Sequence, residues 1–371
     1  MSSTKRVGVL IASLIFAVCA CAQESAAPKV KVGVTSIMSG DLGVLGRNIA
    51  DTAETYRKHY LRHPLEFVYE DAKLSSADGL SAYQKLINLD KVDLIIGGCS
   101  SNGTMAGKAI INSTKTPTIT VVTGGRNIDA AGPYIFRIGN SDIQNGIEEA
   151  DAFYAAQLTQ VALLTEETEY TQDIASAFKE RFLKLGGKLV YDENFTPGIS
   201  DFRTQISKIK RSGAQGIFIP TQTGTALGIF VKQWVEQGGS RQVPIHTSFV
   251  AAPNADAHKI AGDAIVGIKY MAPKYDGNSA RLKEFVEFYQ KDHGHAPPIM
   301  FHTAGTVDAL DLLQRYLDKY KQYDRERFQN YLVTEVKDYD GLMGRFSFDA
   351  DGNSALGFEP AEIATKMTGA K

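Results

Sequence analysis

Four short clusters of small and hydroxylated residues hold most of the chemistry this chain offers: Ser39 with Gly40, Ser100 with Ser101, Thr123 with Gly124 and Gly125, and Ser141 with Asp142. Hydroxyls donate and accept hydrogen bonds, and glycine lets a ligand approach bare backbone. Where such residues open a helix, the free amides of its first turn can receive a carboxylate. Ser100 and Ser101 stand just before a helix-forming stretch, so helix cap and ligand contact are equally good readings of them. These residue types suit reversible capture.

Patterns for catalysis or metal binding are missing. None of the seven histidines falls in an H-E-x-x-H arrangement, and there is neither a paired-cysteine pattern nor a G-x-S-x-G. No catalytic residue, metal or cofactor is expected. Asp349, Asp351 and Asn353 with Gly352 resemble the start of a calcium loop, but no glutamate follows at its twelfth position, and a turn is the better reading. A net charge of -2 gives no electrostatic footprint for nucleic acid.

Each cluster follows an apolar, β-branched run. Residues 30–37, 92–96, 117–122 and 134–137 read as strands, with a fifth at 65–69 and helices at 47–60, 77–89 and 105–112. Repeated strand–loop–helix units predict a mostly parallel sheet, and such sheets bind ligands beyond the carboxyl ends of their strands. Near Asp142 the pattern starts again. Strands are expected at 161–165, 189–191, 216–219, 245–248 and 266–271, with helices at 144–156, 174–185, 202–212 and 225–237. Helices at 282–292 and 304–320 and a hairpin at 339–348 then follow without a further α/β unit, as if completing a domain begun earlier. Two domains also suit 371 residues.

The N-terminus carries an export signal. Lys5 and Arg6 precede an apolar run over residues 7–20, too short for a membrane span, and small residues follow. Residues 1–22 therefore read as a signal peptide, with two routes open. Cleavage after Ala22 releases a soluble protein into the periplasm; alternatively, the cysteine-containing stretch acts as a lipobox and Cys21 becomes a lipid anchor. Cys99 is the remaining cysteine and reads as a small buried hydrophobe.

Several stretches together resemble a known family: VGVTSIMSG at 32–40, FVYEDA at 67–72, IIGGCSS at 95–101, GPYIFRIGNSD at 132–142 and GLMGRFSFDADG at 341–352. In order and spacing they are similar to type I periplasmic binding proteins serving branched-chain amino acid and amide ABC transporters. The resemblance implies two Rossmann-like α/β lobes with parallel-sheet cores, joined by a three-strand hinge and closing on a solute. It places residues 29–141 and 272–336 in lobe one and 142–271 and 337–371 in lobe two. It implies that Ser100 grips a carboxylate through its backbone and hydroxyl, that Thr123 contacts the carboxylate and ammonium region, that the Val121 carbonyl accepts from the ammonium, and that Tyr170 lines the cleft. Asp142 falls beside the hinge. Where relatives carry an acid in lobe two, this chain has Phe249, and Gln222 lies in the stretch that replaces a pocket tyrosine. An ammonium would then need Asp142, Glu166 or Glu169, because a buried cation without a partner is costly. Amino acid, amide and carboxylate solutes all stay open.

The expected function is extracytoplasmic solute capture for an ABC importer. The expected partners are a small polar solute and membrane permease subunits, not nucleic acid, and the expected state is a monomer. A ligand sensor signalling through a partner is the alternative, and an exported hydrolase a more distant one.

Overall fold

The computed structural model describes residues 29–40, 42–98 and 100–365, so the expected leader and Cys99 lie outside the described residues. The first sheet contains β1 (Val30–Ser36), β2 (Leu65–Asp71), β3 (Leu94–Gly97), β4 (Thr118–Thr120) and β5 (Ile135–Arg137). Its order is β2-β1-β3-β4-β5, and every pairing is parallel. Val32, Val34, Ile96 and Ile119 are buried, as expected for β-branched residues in a sheet covered on both faces. The covering helices are α1 (Gly43–His59), α2 (Ser76–Gln84) and α3 (Ser101–Ser113), with a 3-10 turn at Arg126–Ala130.

The second lobe repeats the plan with β6 (Gln160–Glu166), β7 (Lys188–Phe195), β8 (Gly216–Ile219), β9 (Ile245–Thr247) and β10 (Lys269–Pro273). Around them lie α4 (Asp142–Ala155), α5 (Glu169–Lys184), α6 (Arg203–Ser212), α7 (Gly224–Glu236) and the short α8 (Ala255–Ala261). α6 shows why the sequence is legible here: Ile206 and Ile209 turn inward, its lysines stay outside, and Gly213 ends it at φ +75°.

The chain then returns to lobe one as α9 (Ala280–His293), α10 (Met300–Tyr320) and α11 (Arg325–Thr334), followed by the hairpin β11 (Tyr339–Gly341) and β12 (Gly344–Phe346). The final strand, β13 (Phe358–Glu362), crosses to the second sheet and runs antiparallel beside β10, giving the order β13-β10-β9-β8-β6-β7. The two α/β lobes are therefore joined by three crossovers: after β5, after β10 and before β13.

One boundary differs from the sequence expectation. Residues 337–371 were expected in lobe two, yet Tyr339, Leu342, Met343, Phe346 and Phe348 belong to the first core. The fully buried Asp308 of α10 accepts the amides of Leu342 and Met343, each at 2.8 Å, and holds the hairpin turn there. Within 337–371, it is β13 that joins the second sheet. Among the described residues, no helix is long and apolar enough to cross a membrane.

Candidate functional site

Lobe one presents its loops at the strand carboxyl ends, and hydrogen bonds decide which of their groups remain free. Ser100 caps α3: its hydroxyl accepts from the Gly103 amide and donates to the Leu74 carbonyl, both at 3.1 Å. That hydroxyl is therefore a cap. The amides of Ser101 and Asn102, in the first turn of α3, have no carbonyl four residues back within the helix and suit a carboxylate. The Ser101 hydroxyl accepts the Gly125 amide at 3.0 Å, tying the two loops together.

Thr123 is buried, and its hydroxyl donates to Thr120 Oγ1 at 2.6 Å, which in turn donates to the Phe136 carbonyl at 3.2 Å. This relay uses the Thr123 proton, so its oxygen is left to accept. The Val121 carbonyl lies past Thr120, the last paired residue of β4. Thr123 thus keeps an acceptor, and the Val121 carbonyl lies two residues before it.

Asp142 joins this set at the first crossover. Its amide donates to the Gly124 carbonyl at 2.8 Å, and its carboxylate occupies the space a Gly124 side chain would need: a Cβ there would lie 2.2 Å from Oδ1. Asp142 is only 4% exposed, and no described residue donates a hydrogen bond to its carboxylate. Burial pushes this carboxyl well above its ordinary range; nearby Arg137 opposes the shift, while Asp173 and Glu169 add to it.

Lobe two contributes aromatic rings. Tyr170, in the first turn of α5, stands edge-on to Phe249 with ring centres 6.0 Å apart. Burial, with the Asp142 charge adding to it, pushes the Tyr170 phenol well up, while the Ser248 side chain and the Val250 backbone oppose the shift. Phe249 meets Phe301 of lobe one edge-on at 5.5 Å and Phe358 at 5.7 Å. Behind Phe301 at 4.2 Å lies His302, which burial pushes down to about 3, so it is neutral. Among the described residues, its Nδ1 lacks a hydrogen-bond partner, as does the buried Ser36 hydroxyl at the end of β1.

The two other candidate acids are committed elsewhere. Fully buried Glu166 accepts the amides of Gln222 and Thr223 at 2.6 and 3.1 Å and the Thr223 hydroxyl at 2.9 Å, which anchors the start of α7. The Gln222 amide therefore belongs to that anchor. Glu169, at the cleft rim, accepts from Asn127 of lobe one at 3.2 Å. Beside it, the Arg126 amide donates to Asp173 Oδ2 at 2.9 Å, so both contacts bridge the lobes.

Ser101 and Asp142 are thus both tied to the Gly124–Gly125 loop that follows Thr123, with Val121 two residues before Thr123, while Tyr170 and Phe249 form a second group in lobe two. Phe301 and His302 escape sequence reasoning because α10 begins at Met300, earlier than its periodic apolar face suggests; the adjacent Pro297 and Pro298 were the available signal. A cavity of about 540 Å³ lies at the hinge, lined in part by Asp129, Arg137, Ser141, Glu148 and Asn353. None of the eight residues expected in the site lines it. Among the described residues there is no His, Cys, Asp and Glu cluster that would hold a metal. The suspected calcium loop is a turn: Asp349 accepts the amides of Asp351 and Asn353 at 2.9 and 2.8 Å.

Residues 29–358 match the family model described as periplasmic binding protein. The chain is 22% identical over 315 residues to Leu/Ile/Val-binding protein homolog 6 of Brucella abortus, covering 83% of this chain and 80% of that protein. In structure it is similar to a branched-chain amino acid transporter substrate-binding protein of Streptococcus pneumoniae in complex with isoleucine (TM-score 0.77, 22% identity, covering 91% of this chain and 97% of that one). It is also similar to an ABC transporter solute-binding protein of R. palustris in complex with 4-hydroxybenzoate (TM-score 0.78, 23% identity, covering 90% and 93%).

Proposed function

The chain belongs to the periplasmic binding protein family, which binds solutes without catalysis, and from that premise we propose that it captures an α-amino acid for an ABC importer. The observation that carries this reading is the buried Asp142 carboxylate, to which no described residue donates, close in the fold to Thr123 and Val121. A carboxylate taken out of water is costly unless a cation or several donors meet it. A solute ammonium supplies both, with three N–H groups for three acceptors. The Ser101 and Asn102 amides then take the solute carboxylate. Asp142 replaces the lobe-two acid that Phe249 displaces, and the rings of Tyr170, Phe249 and Phe301 cover an apolar side chain. Closure follows from differential affinity, because the solute's contacts are complete when both lobes meet it. Membrane permease subunits then receive the closed form.

Phe249 favours one second reading, an acid without an ammonium, and the R. palustris protein in complex with 4-hydroxybenzoate is a precedent within this fold. Such a solute would bind against protonated Asp142. The two readings separate by pH. Ammonium capture ionises Asp142 and strengthens as pH rises through the carboxyl's free-state range, whereas an ammonium-free acid binds more weakly over the same interval. Calorimetry of matched amino acids and their deaminated counterparts from pH 5 to 8 tests the proposal; tighter binding by the deaminated member throughout would overturn it.

A further inference from the structure

Behind the Gly124 loop lies a charge that solute capture has not yet used. Arg137, at the end of β5, is 4% exposed, and its guanidinium is always charged. Its Nη2 donates to Asp129 Oδ1 at 2.6 Å and its Nη1 to the Gly124 carbonyl at 3.4 Å. That carbonyl also accepts the Asp142 amide, and the Asp142 carboxylate fills the space beside Gly124 Cα. Arg137 and Asp142 are therefore held around a single peptide unit. Among the described residues, the buried Arg137 Nε has no hydrogen-bond partner, so Asp129 meets only part of this guanidinium.

We propose that Arg137, braced by Asp129, is a positioning residue that fixes the charge of Asp142 and thereby sets whether the captured solute must be cationic at that point. This rests on Asp142 being the solute's charge partner. The groups facing Asp142 pull in opposite directions. Arg137 from β5 favours the carboxylate, while Asp173 and Glu169 from α5 disfavour it, and Tyr170 from α5 is an uncharged neighbour. Without Arg137, the acids on α5 and burial act unopposed, and Asp142 holds its proton to higher pH. Without the Asp129 charge, Arg137 acts more strongly and the proton leaves at lower pH. Both residues also line the hinge cavity with Asn353 from the third crossover, so this electrostatic control sits where the lobes turn.

The test is a carbon-detected NMR titration of aspartate side chains in the solute-free protein, with the Asp142 signal identified by its loss in Asp142→Asn. The midpoint is expected to rise in Arg137→Met, fall in Asp129→Asn and stay close to wild type in Arg137→Lys, which keeps the charge. Asp129 has a half-exposed side chain, so its variant tests the idea even if Arg137→Met fails to fold. In parallel, amino acid affinity at pH 7 should fall about ten-fold or more in Arg137→Met and recover in Arg137→Lys. An unmoved Asp142 midpoint in Arg137→Met, or in Asp129→Asn if the former does not fold, overturns the proposal. Midpoints that move as expected in a protein that binds no amino acid support the role of Arg137 and overturn the solute reading instead.

Discussion

Replacing Asp142 with asparagine separates solute capture from stability, because the two should move in opposite directions. Without solute, Asp142 is a buried carboxyl to which no described residue donates, and its folded-state pKa lies well above the ordinary value. A group raised in this way contributes stability that is fully present below its unfolded pKa and is lost as pH rises through its folded one. At neutral pH the neutral amide removes that loss, so solute-free Asp142→Asn should melt at or above the wild-type temperature. With an amino acid bound, the same change leaves a buried ammonium without its charge partner. Breaking such a pair costs about 3 kcal/mol or more, or on the order of a hundred-fold in affinity. Calorimetry in two buffers of different ionisation enthalpy should also show proton release for the wild type and none for the variant. Affinity within about three-fold of wild type, with no change in proton release, would refute the ammonium role of Asp142.

Further outcomes follow from neighbouring geometry. Gly124→Ala places a Cβ 2.2 Å from Asp142 Oδ1, so the carboxylate must swing away; solute affinity should drop at least ten-fold in titrations, with a stability cost of about 1–3 kcal/mol in denaturant melts. Asp173→Asn removes the carboxylate that receives the Arg126 amide across the cleft and a charge that disfavours Asp142 ionisation, so NMR should show the cross-cleft tie weakened and the solute-free Asp142 midpoint lowered. Asp308 is raised to about 6 by burial. Its stabilising contribution is fully present below about pH 4 and is lost as pH rises through about 6, amounting to roughly 3 kcal/mol by neutrality, so Asp308→Asn should flatten that part of the pH–stability curve.

Much of the fold was legible because β-branched runs and small-residue loops alternate regularly through both lobes. β1 and β3 are mostly apolar runs closed by turn residues, β4 (Thr118–Thr120) is β-branched throughout, and the restart near Asp142 is the start of α4. The C-terminal region was less readable. Met300, Phe301 and His302 precede the regular apolar face of α10, so a helix start looked like loop, and α11 is a short helix with few buried residues. The hairpin was visible as a hairpin. Which core it joined depends on Asp308, 34 residues before Leu342, a contact no local pattern encodes.

The site divides along similar lines. Hydroxyl clusters at strand ends can be found from residue types, but whether a hydroxyl is already occupied cannot. Ser100 and Thr123 look alike in sequence, yet one is consumed as a cap and the other keeps its acceptor. The same holds for the acids. Glu166 and Asp142 are both buried, and hydrogen bonds from Gln222 and Thr223 separate a structural carboxylate from one available to a solute. Aromatic contacts between lobes, such as Phe249 with Phe301, require the relative placement of two separately folded cores.

A thermal-shift screen of the protein against amino acids, their amides and their deaminated acids tests the central claim most directly, since a ligand that binds the folded state alone raises its melting temperature. The account predicts a saturable rise with one or a few apolar or aromatic α-amino acids, at most a small rise with the matched deaminated acids, and loss of the amino acid response in Asp142→Asn. A rise confined to acids lacking an ammonium, or no rise across the library, would contradict it.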